Sequence, residues 1–132
     1  MKLKLIYIGL FLGLISSSCK DNYPIDEDGM LITTNTSCYV SAFELLGSDF
    51  LTVRTKAAVI DTVAQTINVE VKFGTDLKNL YPQFSLVLDA ALDPKIVGKE
   101  DFSDLSKPRE WTVVSGNRKI KKTYKVFLTV QK

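Results

Sequence analysis

The sequence predicts an all-β domain behind an export signal: an antiparallel sandwich of two sheets and about seven strands. Three observations carry this expectation. Apolar residues recur at every second position in short bursts, most clearly from Thr66 to Phe73, where Ile67, Val69, Val71 and Phe73 share one face and Asn68, Glu70 and Lys72 the other. Turn-forming groups divide the bursts at Gly47-Ser48-Asp49, Asp61-Thr62, Gly74-Thr75-Asp76, Asp93-Pro94, Lys107-Pro108 and Gly116-Asn117. No amphipathic stretch of useful helical length interrupts them. A small open barrel is the alternative arrangement of the same strands.

Residues 1–18 read as a lipoprotein signal peptide. Lys2 and Lys4 form a basic start, Leu5 to Ile15 an apolar run, and Ser16-Ser17-Ser18 the small residues before Cys19, whose thiol is the expected site of lipidation. The apolar run is too short for a bilayer span, which needs about 20 residues. A plain secretory signal would not require a cysteine at this place. Residues 19–36 are polar, acidic and rich in turn formers, and read as a tether. Asp26, Asp28 and Gly29 suggest a calcium loop, but placing Gly29 sixth puts Pro24 first and Asn35 twelfth, where an acid must stand. Asn35-Thr36-Ser37 fits the N-glycosylation sequon only by letter.

The domain itself is expected over 37–132. Its strand candidates in order are Tyr39 to Leu45, Leu51 to Ala58, Thr66 to Phe73, Phe84 to Leu88, Glu110 to Val114 and Tyr124 to Val130, with a short helix at Asp76 to Leu80 closed by Tyr81-Pro82. Gly116-Asn117 suits a two-residue hairpin loop. In the last strand Tyr124, Val126, Leu128 and Val130 point inward, which turns Phe127 outward, while Trp111, in phase with Val113, is expected in the core.

Composition excludes more than it names. The net charge of +2 is accounted for by Lys2 and Lys4, so the remainder is neutral and offers no electrostatic footprint for nucleic acid. With Cys19 committed to lipid, Cys38 is left as a single thiol without an internal disulfide partner, expected to be a small buried hydrophobe. Histidine is absent, which removes Ser-His and Cys-His nucleophiles and the commonest zinc ligand. The acids Asp89, Asp93, Glu100, Asp101 and Asp104 fall mainly in loops and promise no cleft of the kind glycosidase chemistry needs. No catalytic residue, metal site or cofactor is therefore expected. The run Arg118-Lys119-Ile120-Lys121-Lys122 reads as lysines guarding a hairpin and sheet edge.

Five phrases in order resemble one family: Ile60-Asp61 before the T-I-x-V-x-V strand, Phe73-Gly74-Thr75-Asp76-Leu77-Lys78-Asn79-Leu80-Tyr81-Pro82, Asp101-Phe102-Ser103, Trp111-Thr112-Val113, and Lys122-Thr123-Tyr124-Lys125-Val126. Together they are similar to the immunoglobulin-like domains of surface lipoproteins in Bacteroidota-type bacteria. The resemblance covers residues 37–132. It departs at Ser115-Gly116-Asn117-Arg118-Lys119, where relatives favour a Glu-Asp-Gly turn, and at Trp111, where tyrosine is frequent. It implies an immunoglobulin-like sandwich and an envelope context, often beside glycan-uptake loci of the starch-utilisation type. It implies no catalytic activity.

The same resemblance extends to short signals. Cys19-Lys20-Asp21 resembles the export signal that places such lipoproteins on the cell surface, with Asn22 breaking its second acidic position, and Asp61-Thr62-Val63 resembles an O-glycosylation acceptor at Thr62. The expected role is that of a lipid-anchored, outer-membrane accessory protein working by binding or adhesion, with a structural subunit of an envelope complex as the alternative. Its partners would be the membrane, through the lipid, and a polysaccharide or another envelope protein. Tyr81 and Phe127 are the candidate ligand contacts, because aromatic faces on an outer surface stack on sugars or meet proteins.

Overall fold

The computed structural model describes residues 23–132, so the signal peptide, Cys19 and Lys20-Asp21-Asn22 lie outside the described residues. Seven strands form: β1 (Val40–Leu46), β2 (Val59–Asp61), β3 (Thr66–Val71), β4 (Tyr81–Leu86), β5 (Ala91–Asp93), β6 (Arg109–Val114) and β7 (Lys121–Val130). They build two sheets, β1-β4 and β2-β3-β7-β6-β5, with the expected all-β sandwich between them. One pairing departs from the antiparallel expectation. β3 runs parallel to β7, with Ile67 opposite Val126 and Val69 opposite Leu128. Alternation sets which face a residue takes but not the direction of the neighbouring strand, so both strands keep their inward faces in this register.

The core lies where the two inner faces meet. Ile67, Val69 and Val71 of β3, Trp111 and Val113 of β6, and Tyr124 and Val126 of β7 are buried against Val40, Phe43 and Leu45 of β1. Each fully buried aliphatic side chain contributes about 1.5–3 kcal/mol relative to exposure. Phe84 of β4 bridges the sheets, packing edge-on to Phe43 with ring centres 4.9 Å apart and tilted against Trp111 at 5.3 Å. The amide of Val40 donates to the Tyr124 hydroxyl at 3.4 Å, which gives that buried phenol a partner. Cys38 is buried beside them, its thiol donating to the Val113 carbonyl at 3.1 Å.

Several boundaries differ from the sequence expectation, each for a local reason. Phe73 is 82% exposed and leaves the inward set, because β3 ends at Val71 and Gly74 takes φ 81° in the turn that follows. Leu88 likewise turns out to solvent as β4 ends at Leu86 and Asp89 adopts φ 68°. Asp76 to Leu80 makes one turn and no helix: Asp76 accepts from the Lys78 amide and the Asn79 side chain, and Leu80 then pairs with Glu100 in an extended bridge. The segment from Leu51 to Ala58 crosses between sheets, bridging Leu46 through Thr52 and Val71 through Arg54, so it forms no continuous strand there. The β6–β7 loop runs from Ser115 to Ile120. It is closed by the Ser115 amide on the Ile120 carbonyl, with Arg118 at φ 62°.

That loop also changes the reading of the basic run and of the tether. β7 lies in the middle of its sheet, but β3 pairs it only from Lys125 onward, so Lys121 and Lys122 pair with β6 alone and stand at a local edge. Arg118 turns back toward the N-terminal segment and pairs with Asp26. Within the expected tether, 19–36, the described residues 24–36 fold back and are bonded to the sandwich at Asp26, Thr33 and Asn35. Ile25 bridges Leu31 around a turn at Asp26–Gly29, the Thr33 amide donates to the Gly116 carbonyl, and the Asn117 amide donates to Asn35. Gly116 permits the approach, since a Cβ there would lie 2.5 Å from the Thr33 hydroxyl.

Candidate functional site

At one end of the sandwich the chain leaves β1, leaves β3 and enters β4, bringing the loops around 47–53 and 72–80 together. The Lys72 amide donates to the Val53 carbonyl at 2.9 Å and the Ser48 hydroxyl reaches the Asn79 carbonyl at 3.5 Å. The first loop is a tight return in which Gly47 donates to Leu51 O and Phe50 donates to Gly47 O, both at 2.9 Å. It presents Phe50, 64% exposed, whose ring stacks on Tyr81 at 4.8 Å and 21° between planes. Lys99 approaches the Tyr81 ring at 5.8 Å, within cation–π range.

A cleft of about 360 Å³ opens between the same two loops, lined by Gly47, Ser48, Asp49, Thr75 and Asp76 over the apolar Val53 and Leu80; Phe50 and Tyr81 adjoin it in sequence, through Asp49 and Leu80, but do not line it. Its polar rim consists of hydroxyls and carboxylates. The carboxyl of Asp76 is held below the usual carboxylate range, first by the Asn79 side chain and then by the Lys78 amide, so it stays an acceptor at neutral pH. The arrangement offers an exposed aromatic face next to fixed hydrogen-bond acceptors.

The expected site residues are not brought together. Tyr81 opens β4 in the two-stranded sheet and is half-buried under Phe50; Phe127 is on β7 in the other sheet, 38% exposed, beside a hollow of only about 30 Å³ lined by Leu105, Pro108 and Arg109. Ligand pockets run to about 300–1,000 Å³, so that hollow cannot seat a sugar ring. Thr62 is exposed in the β2–β3 turn, where Asp61 accepts from the Val63 and Ala64 amides. Cys19 lies outside the described residues. Phe50 was not singled out by the sequence, although two successive apolar residues directly after Gly47-Ser48-Asp49 are the signal that marks it.

The other candidates are accounted for locally. Glu100 pairs with Arg109 at 2.7 Å, Asp101 and Asp104 accept from nearby backbone amides, and Asp89 holds the Asn35 side chain. Trp111 is covered by Phe84, Phe102 and the Arg109 guanidinium, so it presents no face to a ligand. A second cleft of about 500 Å³ separates the N-terminal turn from β5, and the pairs Asp26–Arg118 and Asp28–Lys95 occupy its walls. Among the described residues no group of three or more cysteine or acidic side chains is arranged to hold a metal ion.

Two solved structures show the same architecture. A Bacteroides thetaiotaomicron protein named as a candidate glycoside hydrolase is 28% identical, with a TM-score of 0.61 over 76% of this chain and 27% of that one. A DUF4623 family protein from Bacteroides eggerthii is 19% identical, with a TM-score of 0.54 over 73% of this chain and 22% of that one. The chain thus spans about a quarter of the length of each. No curated protein matches it. The family profile described as SGBP, N-terminal, the N-terminal domain of surface glycan-binding proteins, matches residues 48–128, from the Phe50 loop through β7, and the chain therefore belongs to that family.

Proposed function

We propose that this chain is a lipid-anchored, non-enzymatic accessory protein of the outer-membrane surface whose immunoglobulin-like domain engages glycan at the end of the sandwich that carries Tyr81. The observation that carries the reading is the exposed Phe50–Tyr81 stack, on loops whose neighbouring residues Asp49 and Asp76 line a cleft of acceptors, in a member of a surface glycan-binding family. Sugar rings bring apolar C–H faces and hydroxyl rims together, and this end of the fold supplies a partner for each. Cys19 carries the lipid, each buried methylene of which contributes about 0.8 kcal/mol to membrane anchoring. Thr62, open in its turn, is the acceptor of an O-linked glycan, and Phe127 is a separate contact through its exposed face on the other sheet, not through the hollow beside it.

The test is retention of the detergent-solubilised full chain on polysaccharide gels. Tyr81→Ala should weaken retention and Cys19→Ala should abolish fatty-acid labelling in cells. Turnover of a glycoside by the pure protein would overturn the non-enzymatic reading. One observation favours the structural alternative: among the described residues β4 pairs with β1 alone, leaving its other edge without a strand. Capture of a fixed envelope partner by crosslinking at β4, with polysaccharide retention at background, would decide for that role.

A further inference from the structure

We infer that Phe50, not Tyr81, is the ring that meets the sugar, that it is held outward by a strained backbone braced on Tyr81, and that the adjoining cleft selects neutral over acidic glycans. This rests on the glycan-binding reading above and goes beyond it in naming the contact residue and the ligand class.

Phe50 sits on strained backbone. Phe50 has φ 61°, the left-handed region that a Cβ disfavours and that glycine or asparagine fills at least cost. Two of the other three non-glycine residues at positive φ, Asp89 and Arg118, make side-chain hydrogen bonds that offset this cost, whereas Gln65 makes none among the described residues. At Arg118, φ 62°, the guanidinium bonds to Asp26, Asp89 and Ser115. Phe50 gains a single stacking contact and leaves 64% of its surface in water. Folding alone does not account for an aromatic residue at this position, and a strained, exposed side chain on a tightly bonded loop is the pattern of a ligand contact.

The two rings of the stack are exposed unequally. Tyr81 has one face covered by Phe50 and Lys99 drawn to its ring, so its free surface is small. It supports; Phe50 presents. The loop itself is fixed by the Gly47–Leu51 bond, by Phe50 N on Gly47 O, and by Asp49 accepting the Leu51 amide at 3.1 Å. The ring therefore needs little ordering on binding, which lowers the entropic cost of holding a ligand.

Charge sets the ligand class. The side chains bordering the cleft are Ser48, Asp49, Thr75 and Asp76 among apolar Val53 and Leu80, so its ionised groups are carboxylates. Carboxylates accept from the hydroxyls of a neutral sugar and repel a uronate or sulfate placed against the same wall. Lys78 and Lys99 lie near enough to act on Asp76, but neither borders the cleft.

The experiment uses the detergent-solubilised full chain in native gels containing amylopectin, mixed-linkage β-glucan, galactomannan or polygalacturonate. Phe50→Gly and Phe50→Asn both suit the left-handed backbone and remove the ring. The expected result is retention of the wild type on at least one neutral polysaccharide and not on polygalacturonate, with both variants weakened tenfold or more while their thermal midpoints stay level or rise. Wild-type retention that survives in both variants overturns the assignment of Phe50 and leaves the glycan-binding reading intact. Preference for polygalacturonate overturns the neutral selectivity, and midpoints that fall in both variants overturn the claim of strain. Absence of wild-type retention on all four gels overturns the glycan-binding reading and this inference with it.

Discussion

Arg118 and Asp26 are joined across 92 positions of the chain by an ion pair, Nε to Oδ2 at 3.0 Å, with both side chains largely covered. The same guanidinium reaches the Leu31 carbonyl at 3.4 Å, so one residue of the β6–β7 loop holds both arms of the N-terminal turn. Replacing it with alanine should free that turn without unfolding the sandwich. In hydrogen exchange on Arg118→Ala, the amides of Ile32 and Thr33, bonded to Pro24 and Gly116, should lose protection while those of β7 keep theirs. Arg118→Lys should behave almost like the alanine variant, since an ammonium cannot reproduce a planar fork of donors.

Acid should act on the same turn. Asp26 is held below the usual carboxylate range, chiefly by the Met30 amide, with the Arg118 side chain adding to it; Asp76 and Asp101 are lowered as well, first by Asn79 and by Ser103 respectively. A carboxylate that ionises more readily in the folded state stabilises it above the unfolded pKa, and that contribution is lost as pH falls through the folded value. Thermal midpoints should be flat from neutral pH to about pH 5 and decline below about pH 4. Asp26→Asn should make the acid limb shallower, and an unchanged limb would assign the effect to the other two acids.

Cys38 should be inert in the native protein. Burial pushes its thiol pKa up and its proton is given to the Val113 carbonyl, so the reactive thiolate is scarce at pH 8. A disulfide-exchange reagent should leave it unmodified for hours until denaturant is added, and Cys38→Ala should cost about 1 kcal/mol or somewhat more for the small cavity and lost contact. Rapid labelling under native conditions would mean that the β1 end of the core opens.

What could be read from the residues follows what alternation encodes. Ile67, Val69 and Val71, and Tyr124 and Val126, face the core as their spacing requires, and Trp111 and Cys38 join them. Alternation does not say where a strand stops, so Phe73 and Leu88 were carried inward although the backbone turns before each. β5, Ala91–Asp93, is too short to show a period at all. The parallel β3–β7 pairing depends on chain path, and so does the meeting of Phe50 with Tyr81, which are 31 residues apart in sequence number and joined only by folding. Arg118 looked like one more charge in a basic run; its partners are remote, and no local pattern marks them.

The core of β3 gives the sharpest contrast between neighbouring positions. Val71 is fully buried, opposite Val130 of β7 and bridged to Arg54, while the adjacent Lys72 is exposed and contributes to structure through its backbone, donating to Val53 and accepting from Thr75. Val71→Asp would place a carboxylate among aliphatic side chains. The cost of an unpaired buried charge is several kcal/mol, comparable with the roughly 5–15 kcal/mol that hold a domain together. Lys72→Asp changes only the solvent-facing side chain and should move stability by no more than about 0.5 kcal/mol. Far-ultraviolet circular dichroism and the emission of the buried Trp111 are the measurements: Lys72→Asp should keep the β-type spectrum and blue-shifted emission, and Val71→Asp should lose both. A folded Val71→Asp would show that β3 is not the inner wall of the sandwich.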